Sequence, residues 1–171
     1  CGGMGLTGII LDVKFRLKRV NTAYIRQKQV KAGNLEEIMR LFEDNSEYTY
    51  SVAWIDCLKK GKNFGRSILI LGEHATVDEV NAKNILMPRE KALITVPFYF
   101  PSFVLNGFSV KVFNALYYAK NYRKEMNGVV HYDGFYYPLD SILGWNKIYG
   151  KKGFVQYQFV LPHSTSQRGL T

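Results

Sequence analysis

The sequence has few of the residues that mark disulfide-rich, metal-binding or membrane-spanning proteins. Cys1 and Cys57 are its only cysteines, too few for a disulfide framework or a cysteine zinc site. The three histidines, His74, His131 and His163, lie far apart and lack the spacing of metal ligands. No apolar run is long enough to cross a bilayer, and the first residues show no signal peptide. We therefore expect a globular chain without a metal site, and 171 residues suffice for one domain with its own core.

Acidic residues are scarce as well. The chain has 14 Asp and Glu residues against 23 Lys and Arg residues, which gives a formal net charge of +9 at pH 7. The basic residues concentrate in residues 14–31 and 59–66. Such a surface attracts nucleic acid, the anionic face of a membrane or a phosphorylated substrate. Charge alone does not separate these partners from a simpler interpretation, in which the basic residues are solvated faces of strands and turns.

A glycine motif stands at the start of the chain. Residues Gly3 to Gly8 match the pattern G-x-G-x-x-G of dinucleotide-binding proteins. That pattern binds a pyrophosphate only where a strand precedes it and a helix follows it. Here no strand precedes it, and residues 9–18 alternate between apolar and charged side chains, which predicts a half-buried strand instead of a helix. A Rossmann-type nucleotide site is therefore excluded.

The remaining pattern predicts a mixed α+β fold without internal repeats or linkers. Asn34, Thr76 and Ser109 are suited to cap the helices that follow them. Residues 97–107 are aromatic and interrupted by prolines, which favours an ordered loop. The predicted strands are 22–30, 47–56, 66–72 and 154–162, and the predicted helices are 34–45, 76–83 and 109–126.

The predicted strand at 154–162 carries the sharpest local signal. Gln156 and Gln158 fall on one face, opposite a row of apolar side chains. Their amides offer several donors and acceptors in one row, which suits either a binding surface or an ordinary solvated face. The preceding stretch, residues 135–150, combines aromatic residues with a single cation, Lys147. Aromatic walls with a few polar groups are typical of sugar and flavin pockets.

Three stretches carry a family resemblance. They are GMGLTGII before a predicted basic strand, YTYSVAWID with GR after the short loop that follows it, and FYYPLDSILGWNKIYGKKGFVQYQFVLP. In this order they resemble the decaprenylphosphoryl-ribose 2′-oxidase family, which lies within the vanillyl-alcohol oxidase superfamily of FAD-linked oxidoreductases. The resemblance extends over nearly the whole chain, and the glycine stretch is specific only in the company of the other two.

The resemblance implies an architecture. It predicts an antiparallel β-sheet with helices on one face, as in the substrate-binding domain of such a flavoprotein. Residues 1–20 would end the FAD-binding domain, and residues 21–171 would form the substrate-binding domain, truncated at its C-terminal end. The first residue is cysteine instead of methionine, which agrees with a fragment of a longer protein. FAD would be bound mainly outside this chain, with contacts here from Gly3, Gly5, Gly8 and Ile10.

The resemblance also implies a reaction. The 2′-hydroxyl of a polyprenylphosphoryl ribose would be oxidised to a ketone, the first half of an epimerisation to arabinose for cell-wall biosynthesis. A short-chain dehydrogenase/reductase would then act on the keto product. The enzyme would lie in the cytoplasm or peripherally on the inner membrane, and residues 97–107 and 136–150 would be lids over a lipid substrate. No catalytic residue is assigned in this chain; the implied substrate-binding residues are Trp54, Tyr136, Lys147, Gln156 and Gln158.

Within that set, Lys147 would bind the substrate phosphate at a place where arginine is familiar in the family. Two alternatives remain open at this point. One is an FAD-linked oxidase of another sugar, an alditol or a lactone, which Tyr137 favours because the mycobacterial type has histidine there. The other is a nucleic-acid-binding module that stacks bases on a basic, aromatic sheet. Against the second, Val52 shares a face with the aromatic residues of its strand, and no RNA-binding signature occurs.

Overall fold

The computed structural model describes residues 5–81, 85–87, 94–101 and 103–170, and of His163 and Gln167 it describes only the backbone. Gly3 and the end of the helix predicted at 76–83 lie outside the described residues. The strands are β1 (Tyr24–Ala32), β2 (Tyr50–Ile55), β3 (Ser67–His74), β4 (Ile94–Thr95), β5 (Glu125–His131) and β6 (Ile142–Leu143). The α-helices are α1 (Leu35–Asp44), α2 (Gly107–Lys120), α3 (Tyr132–Tyr136) and α4 (Ser166–Leu170).

Four of these strands form one antiparallel sheet in the order β2-β3-β1-β5. This confirms the predicted α+β class with an antiparallel sheet. The strands predicted at 22–30, 47–56 and 66–72 are present as β1, β2 and β3. No helix in the described part of the chain is long and apolar enough to cross a membrane.

One side of the sheet, which we call the core face, is covered by α1. Asn34 begins this helix as predicted, since its Oδ1 accepts a hydrogen bond from the backbone N–H of Glu37 at 2.9 Å. Leu35 and Ile38 lie one turn apart on α1 and point to the same side. They pack against alternate residues of the two central strands, which share a face because side chains alternate along a strand. The buried cluster is Val30, Ala32, Leu35, Ile38, Leu69 and Leu71.

The opposite side, which we call the aromatic face, is covered in part by α2 and α3. Phe135 of α3 lies against Gly72 of β3. At the other end, Asn121, which follows α2, donates from Nδ2 to Oε1 of Gln29 at 2.8 Å. Helical residues therefore contact both faces of the sheet, where the sequence predicted helices on one.

Two predicted strands are not formed. Residues 9–18 and 154–162 contain no strand, and almost all of their side chains are exposed. Phe15 and Tyr157, for example, are 75% and 85% exposed. Both predictions were wrong for the same reason: alternation shows that a segment can cover an apolar surface, but a strand also needs a backbone partner. Among the described residues neither segment has one.

The helix predicted at 109–126 differs at both ends. It begins after Asn106, whose Oδ1 accepts from the backbone N–H groups of Phe108 and Ser109 at 2.8 and 3.0 Å. Ser109 is therefore the third residue of α2 and not its cap. The helix ends at Lys120, and β5 begins at Glu125. Strand β5 was missed because its pairing with β1, a contact distant in sequence, decides its structure.

The stretches 97–107 and 136–150 lie side by side. Strand β6, within the second stretch, pairs in parallel with β4, which precedes the first stretch. Beyond this ladder, the Val96 N–H donates to the Leu143 carbonyl at 2.8 Å, and the Phe100 N–H donates to the Lys147 carbonyl at 2.9 Å. The sequence predicted two separate loops, whereas the structure joins them by backbone hydrogen bonds.

Candidate substrate-binding site

Trp54 lies on the aromatic face at the end of β2. Its ring is half-buried, and its centroid is 4.8 Å from that of Tyr117 in α2. Tyr50 and Val52 precede it on the same face, because side chains alternate along the strand. Val52 is half exposed, which leaves the middle of this face open.

Tyr136 ends α3 at the other end of the same face. Its ring centroid is 5.2 Å from that of Tyr50, in an edge-to-face arrangement. Tyr50 and Trp54 are four residues apart, so their Cα atoms are separated by about 13 Å along an extended strand. Trp54 and Tyr136, both predicted to line the substrate pocket, therefore stand at the two ends of one aromatic face with Val52 between them.

A hydrogen-bonded group positions Tyr136. The Tyr50 hydroxyl lies 3.0 Å from Nε2 of His74, and it also makes a side-chain hydrogen bond with Tyr136. Burial, followed by the hydrogen bond with Tyr50, raises the pKa of Tyr136 above its ordinary value. Burial and the charge of nearby Lys18 lower the pKa of His74. Tyr136 and His74 are therefore both uncharged at neutral pH, which suits a wall that contacts a neutral sugar ring.

A second buried group holds α2 against the end of β2. The Asp56 carboxylate accepts from Arg66 Nε at 2.9 Å and from Asn114 Nδ2 at 2.7 Å, and it pairs with Arg66 Nη2 at 2.8 Å. Burial alone would raise the pKa of Asp56, but the hydrogen bonds from Asn114, Arg66 and the Leu58 N–H outweigh it and lower that pKa. Sequence reasoning missed this group, because its members come from three separate segments of the chain. It positions Trp54, which is two residues from Asp56.

Lys147 lies where the two aromatic stretches meet. Its Nζ donates to the backbone carbonyl of Val96 at 3.2 Å and lies 3.5 Å from that of Pro97. Asp140, the acidic residue nearest to Lys147 in sequence, forms no ion pair with it in the described part of the chain. The ammonium instead links the two stretches, with carbonyl oxygens as its partners.

The glutamine row does not join this face. Gln156 and Gln158 are exposed in the unpaired segment at 154–162, and no hydrogen bond from either is recorded among the described residues. The structure therefore does not bring them to the aromatic face with Trp54. Their role in substrate binding stays a prediction.

The glycine stretch has the backbone freedom that a close contact with FAD requires. Gly5 and Gly8 have φ angles of 78° and 155°, in the region that favours glycine. A Cβ at either position would meet no atom within 4 Å, so the backbone here is open to a ligand. Ile10, two residues on, is exposed. These residues fit a flavin contact, and Gly3 lies outside the described part.

Within the described part of the chain, no cluster of three His, Cys, Asp or Glu side chains is placed to hold a metal ion.

Over most of its length the chain is similar to an oxidase. That relative is the decaprenylphosphoryl-beta-D-ribose oxidase of Mycolicibacterium smegmatis, 37% identical over 168 residues, which cover 94% of this chain and 36% of the oxidase. An uncharacterized protein in the mprA 5′ region of Streptomyces coelicolor is 31% identical over 83 residues, 48% of this chain and 23% of that protein. No family model matches.

The similarity confirms the family resemblance seen in the sequence motifs. The chain spans only about a third of the length of the oxidase, 36%. The activity and the substrate of the whole oxidase are therefore only proposals for this chain.

Proposed function

We propose that this chain is the substrate-binding part of an FAD-dependent oxidoreductase that oxidises the 2′-hydroxyl of a polyprenylphosphoryl ribose to a ketone. The observation that carries the proposal is the 37% identity to decaprenylphosphoryl-beta-D-ribose oxidase over 94% of the chain. The aromatic face supports it, because neighbours of Trp54 and Tyr136 are held in place by hydrogen bonds, Asp56 by Asn114 and Tyr50 by His74. Two uncharged aromatic walls with an open floor suit a sugar ring.

The residues of this chain have distinct parts in the proposal. Trp54 and Tyr136 hold the ribose, the amides of Gln156 and Gln158 bind its hydroxyls, and Lys147 binds the phosphate. The backbone at Gly5 and Gly8 approaches the cofactor, with Gly3 and Ile10 beside it. Bound FAD supplies the acceptor for the hydride that leaves the sugar carbon. Residues 1–20 would close the cofactor domain, and residues 21–171 would belong to the substrate domain.

Two partners follow from the same proposal. The ketone is the substrate that a short-chain dehydrogenase/reductase would reduce to the arabinose configuration. The enzyme would lie in the cytoplasm or peripherally on the inner membrane, where it would meet a substrate that carries a lipid chain. The aromatic stretches at 97–107 and 136–150, which are joined to each other, would act as one lid over that lipid.

One observation favours a different substrate. Tyr137 is half exposed, and its ring centroid is 6.2 Å from that of Tyr136. A second phenol at the edge of the face can change which sugar fits. The second candidate is therefore an FAD-linked oxidase of another sugar, an alditol or a lactone.

Anaerobic reduction of the flavin tests the proposal directly. The full-length protein should bleach at the flavin absorbance maximum when polyprenylphosphoryl ribose is added, and the product should lack two hydrogens by mass spectrometry. The arabinose epimer serves as the matched control and should bleach it far more slowly. Bleaching by an alditol or lactone and not by the ribose would favour the second candidate. A full-length protein without flavin would contradict both.

A further inference from the structure

A basic cavity lies on the side of the molecule where α2 begins. It has a volume of about 670 Å³ and lies between residues 56–60 and the first turns of α2. Its lining residues are Asp56, Cys57, Leu58, Lys59, Lys60, Gly107 and Lys111. None of the residues predicted to bind the sugar is among them.

The charge of this cavity is not neutralised from within. Lys59, Lys60 and Lys111 are exposed, and no ion pair of theirs occurs in the described ranges. The one carboxylate in the lining, that of Asp56, is buried and already accepts hydrogen bonds from Arg66 and Asn114. The stretch from 97 to 124 contains no Asp or Glu at all. The lysines therefore leave an excess of positive charge at the mouth of the cavity.

An apolar surface begins at the edge of the same cavity. Phe108, Val112 and Leu116 follow each other at intervals of four residues, so they form one stripe along α2. Phe108 is 77% exposed and Leu116 is 67% exposed. The stripe is convex, because it is the outer side of a helix, and Phe103 in the preceding loop is also 75% exposed.

The lysines and the exposed apolar stripe together suit the surface of a bilayer better than a single lipid chain. A single hydrocarbon chain on a convex helix would remain half covered by water, whereas the acyl region of a bilayer can surround the whole stripe. Binding at a bilayer surface increases with the apolar area that enters it and with the attraction of basic residues to anionic lipids, and this side of the molecule offers both. The first N–H groups of α2 are not available as an anion site, because Asn106 already accepts from two of them. The lysines therefore provide the attraction.

We propose that this side of the molecule docks on bilayers that contain anionic phospholipids. The phosphate of a lipid headgroup would occupy the cavity of Lys59, Lys60 and Lys111, and Phe108, Val112 and Leu116 would enter the acyl region. The proposal goes beyond the proposed oxidation and rests on none of its steps. A protein with a different substrate would dock in the same way.

Vesicle cosedimentation of the full-length protein tests the lysines. Binding to vesicles of phosphatidylcholine with phosphatidylglycerol should weaken about tenfold or more in the double variant Lys60→Gln, Lys111→Gln, since each lysine near an anionic surface contributes about 1 kcal/mol. The matched control is Lys14→Gln, Lys151→Gln, which removes the same charge from exposed sites outside the cavity and α2 and should change binding far less. Vesicles of phosphatidylcholine alone should bind weakly in every case.

The apolar stripe needs its own variant. Phe108→Gln should also weaken binding to the anionic vesicles, whereas Tyr122→Gln, at another exposed aromatic residue, should not. Equal effects of the cavity variant and its control would overturn the proposal, and so would an anionic vesicle affinity that neither the lysines nor Phe108 affects. Lysine-dependent binding of soluble geranyl phosphate without vesicle binding would also overturn it, in favour of a site for a free ligand. Flavin reduction is unaffected by these outcomes, so failure here is distinct from failure of the proposed oxidation.

Discussion

Asp56 is almost fully buried at the end of β2, and its carboxylate has charged and neutral donors on several sides. Replacing it with alanine would leave the Arg66 guanidinium largely buried without its partner. We expect Asp56→Ala to lower the free energy of unfolding by about 3–5 kcal/mol, the usual cost of breaking a buried ion pair. Denaturant unfolding of the full-length protein measures this.

Glu36→Ala is the control, because it breaks the exposed pair of Arg40 and Glu36, 3.4 Å apart, and should cost less than about 1 kcal/mol. Equal losses in the two variants would contradict the importance of the buried pair.

The buried group around Asp56 also predicts a pH dependence of stability. Because the pKa of Asp56 is lowered in the folded state, its contribution is present above the ordinary carboxyl pKa of about 3.9 and is lost as the pH falls through the lowered pKa. Asp56→Ala should remove that part of the acid sensitivity.

The variant Lys147→Ala distinguishes a role of Lys147 in substrate binding from a purely structural role. If its ammonium leaves the Val96 carbonyl for the substrate phosphate, Lys147→Ala should raise KM about tenfold or more with kcat little changed, since a hydrogen bond to a charged group contributes about 1.5–3 kcal/mol. Steady-state kinetics of the full-length enzyme measure this, with Lys151→Ala as a nearby exposed control. An unchanged KM together with a lower melting temperature would leave Lys147 with only its observed role between the two aromatic stretches.

At the scale of elements, α3 depends on the glycine beneath it. A Cβ at Gly72 would lie 2.8 Å from Phe135 Cε2 and 2.9 Å from Ile25 Cγ2, and it would clash with the tip of the Phe135 ring. We expect Gly72→Ala to displace α3, to lower the free energy of unfolding by about 1–3 kcal/mol, and to raise KM through Tyr136.

Gly128→Ala is a matched control for that prediction. Gly128 lies on the same face of the sheet, in β5, where a Cβ would meet no atom within 4 Å. Thermal unfolding and KM of the two full-length variants should therefore differ. If Gly128→Ala costs as much as Gly72→Ala, the effect belongs to strand glycines in general and not to the contact with Phe135.

At the scale of the whole molecule, the exposed segment at 9–17 is the clearest test of the domain proposal. Its apolar side chains alternate with charged ones, and Ile9, Leu11, Phe15 and Leu17 are largely exposed. If this segment closes a cofactor domain, its amides should exchange about tenfold or more slowly than those of residues 57–63 in the full-length protein. Hydrogen–deuterium exchange measures both segments in one sample. Equally fast exchange would contradict the assignment of residues 1–20.

Sequence alone determined the local parts of this fold. The strand patterns of β1, β2 and β3 and the Asn34 cap of α1 depend on neighbours within a few residues, so they are legible without tertiary contacts. The family resemblance was also legible, and comparison with the oxidase confirms it. The same reasoning placed Trp54 and Tyr136 in one site, and the structure brings both to the aromatic face.

Tertiary structure alone decided which segments find a partner. Residues 125–131 became β5 because β1 offered them a free edge, whereas 154–162 has an equally good strand pattern and no partner among the described residues. The Asp56 group likewise joins elements far apart in sequence, as does the bond from Lys147 to Val96. Propensity and alternation are properties of a single segment, but a hydrogen-bonded ladder or a buried ion pair needs two, and only the folded chain brings the second one into contact.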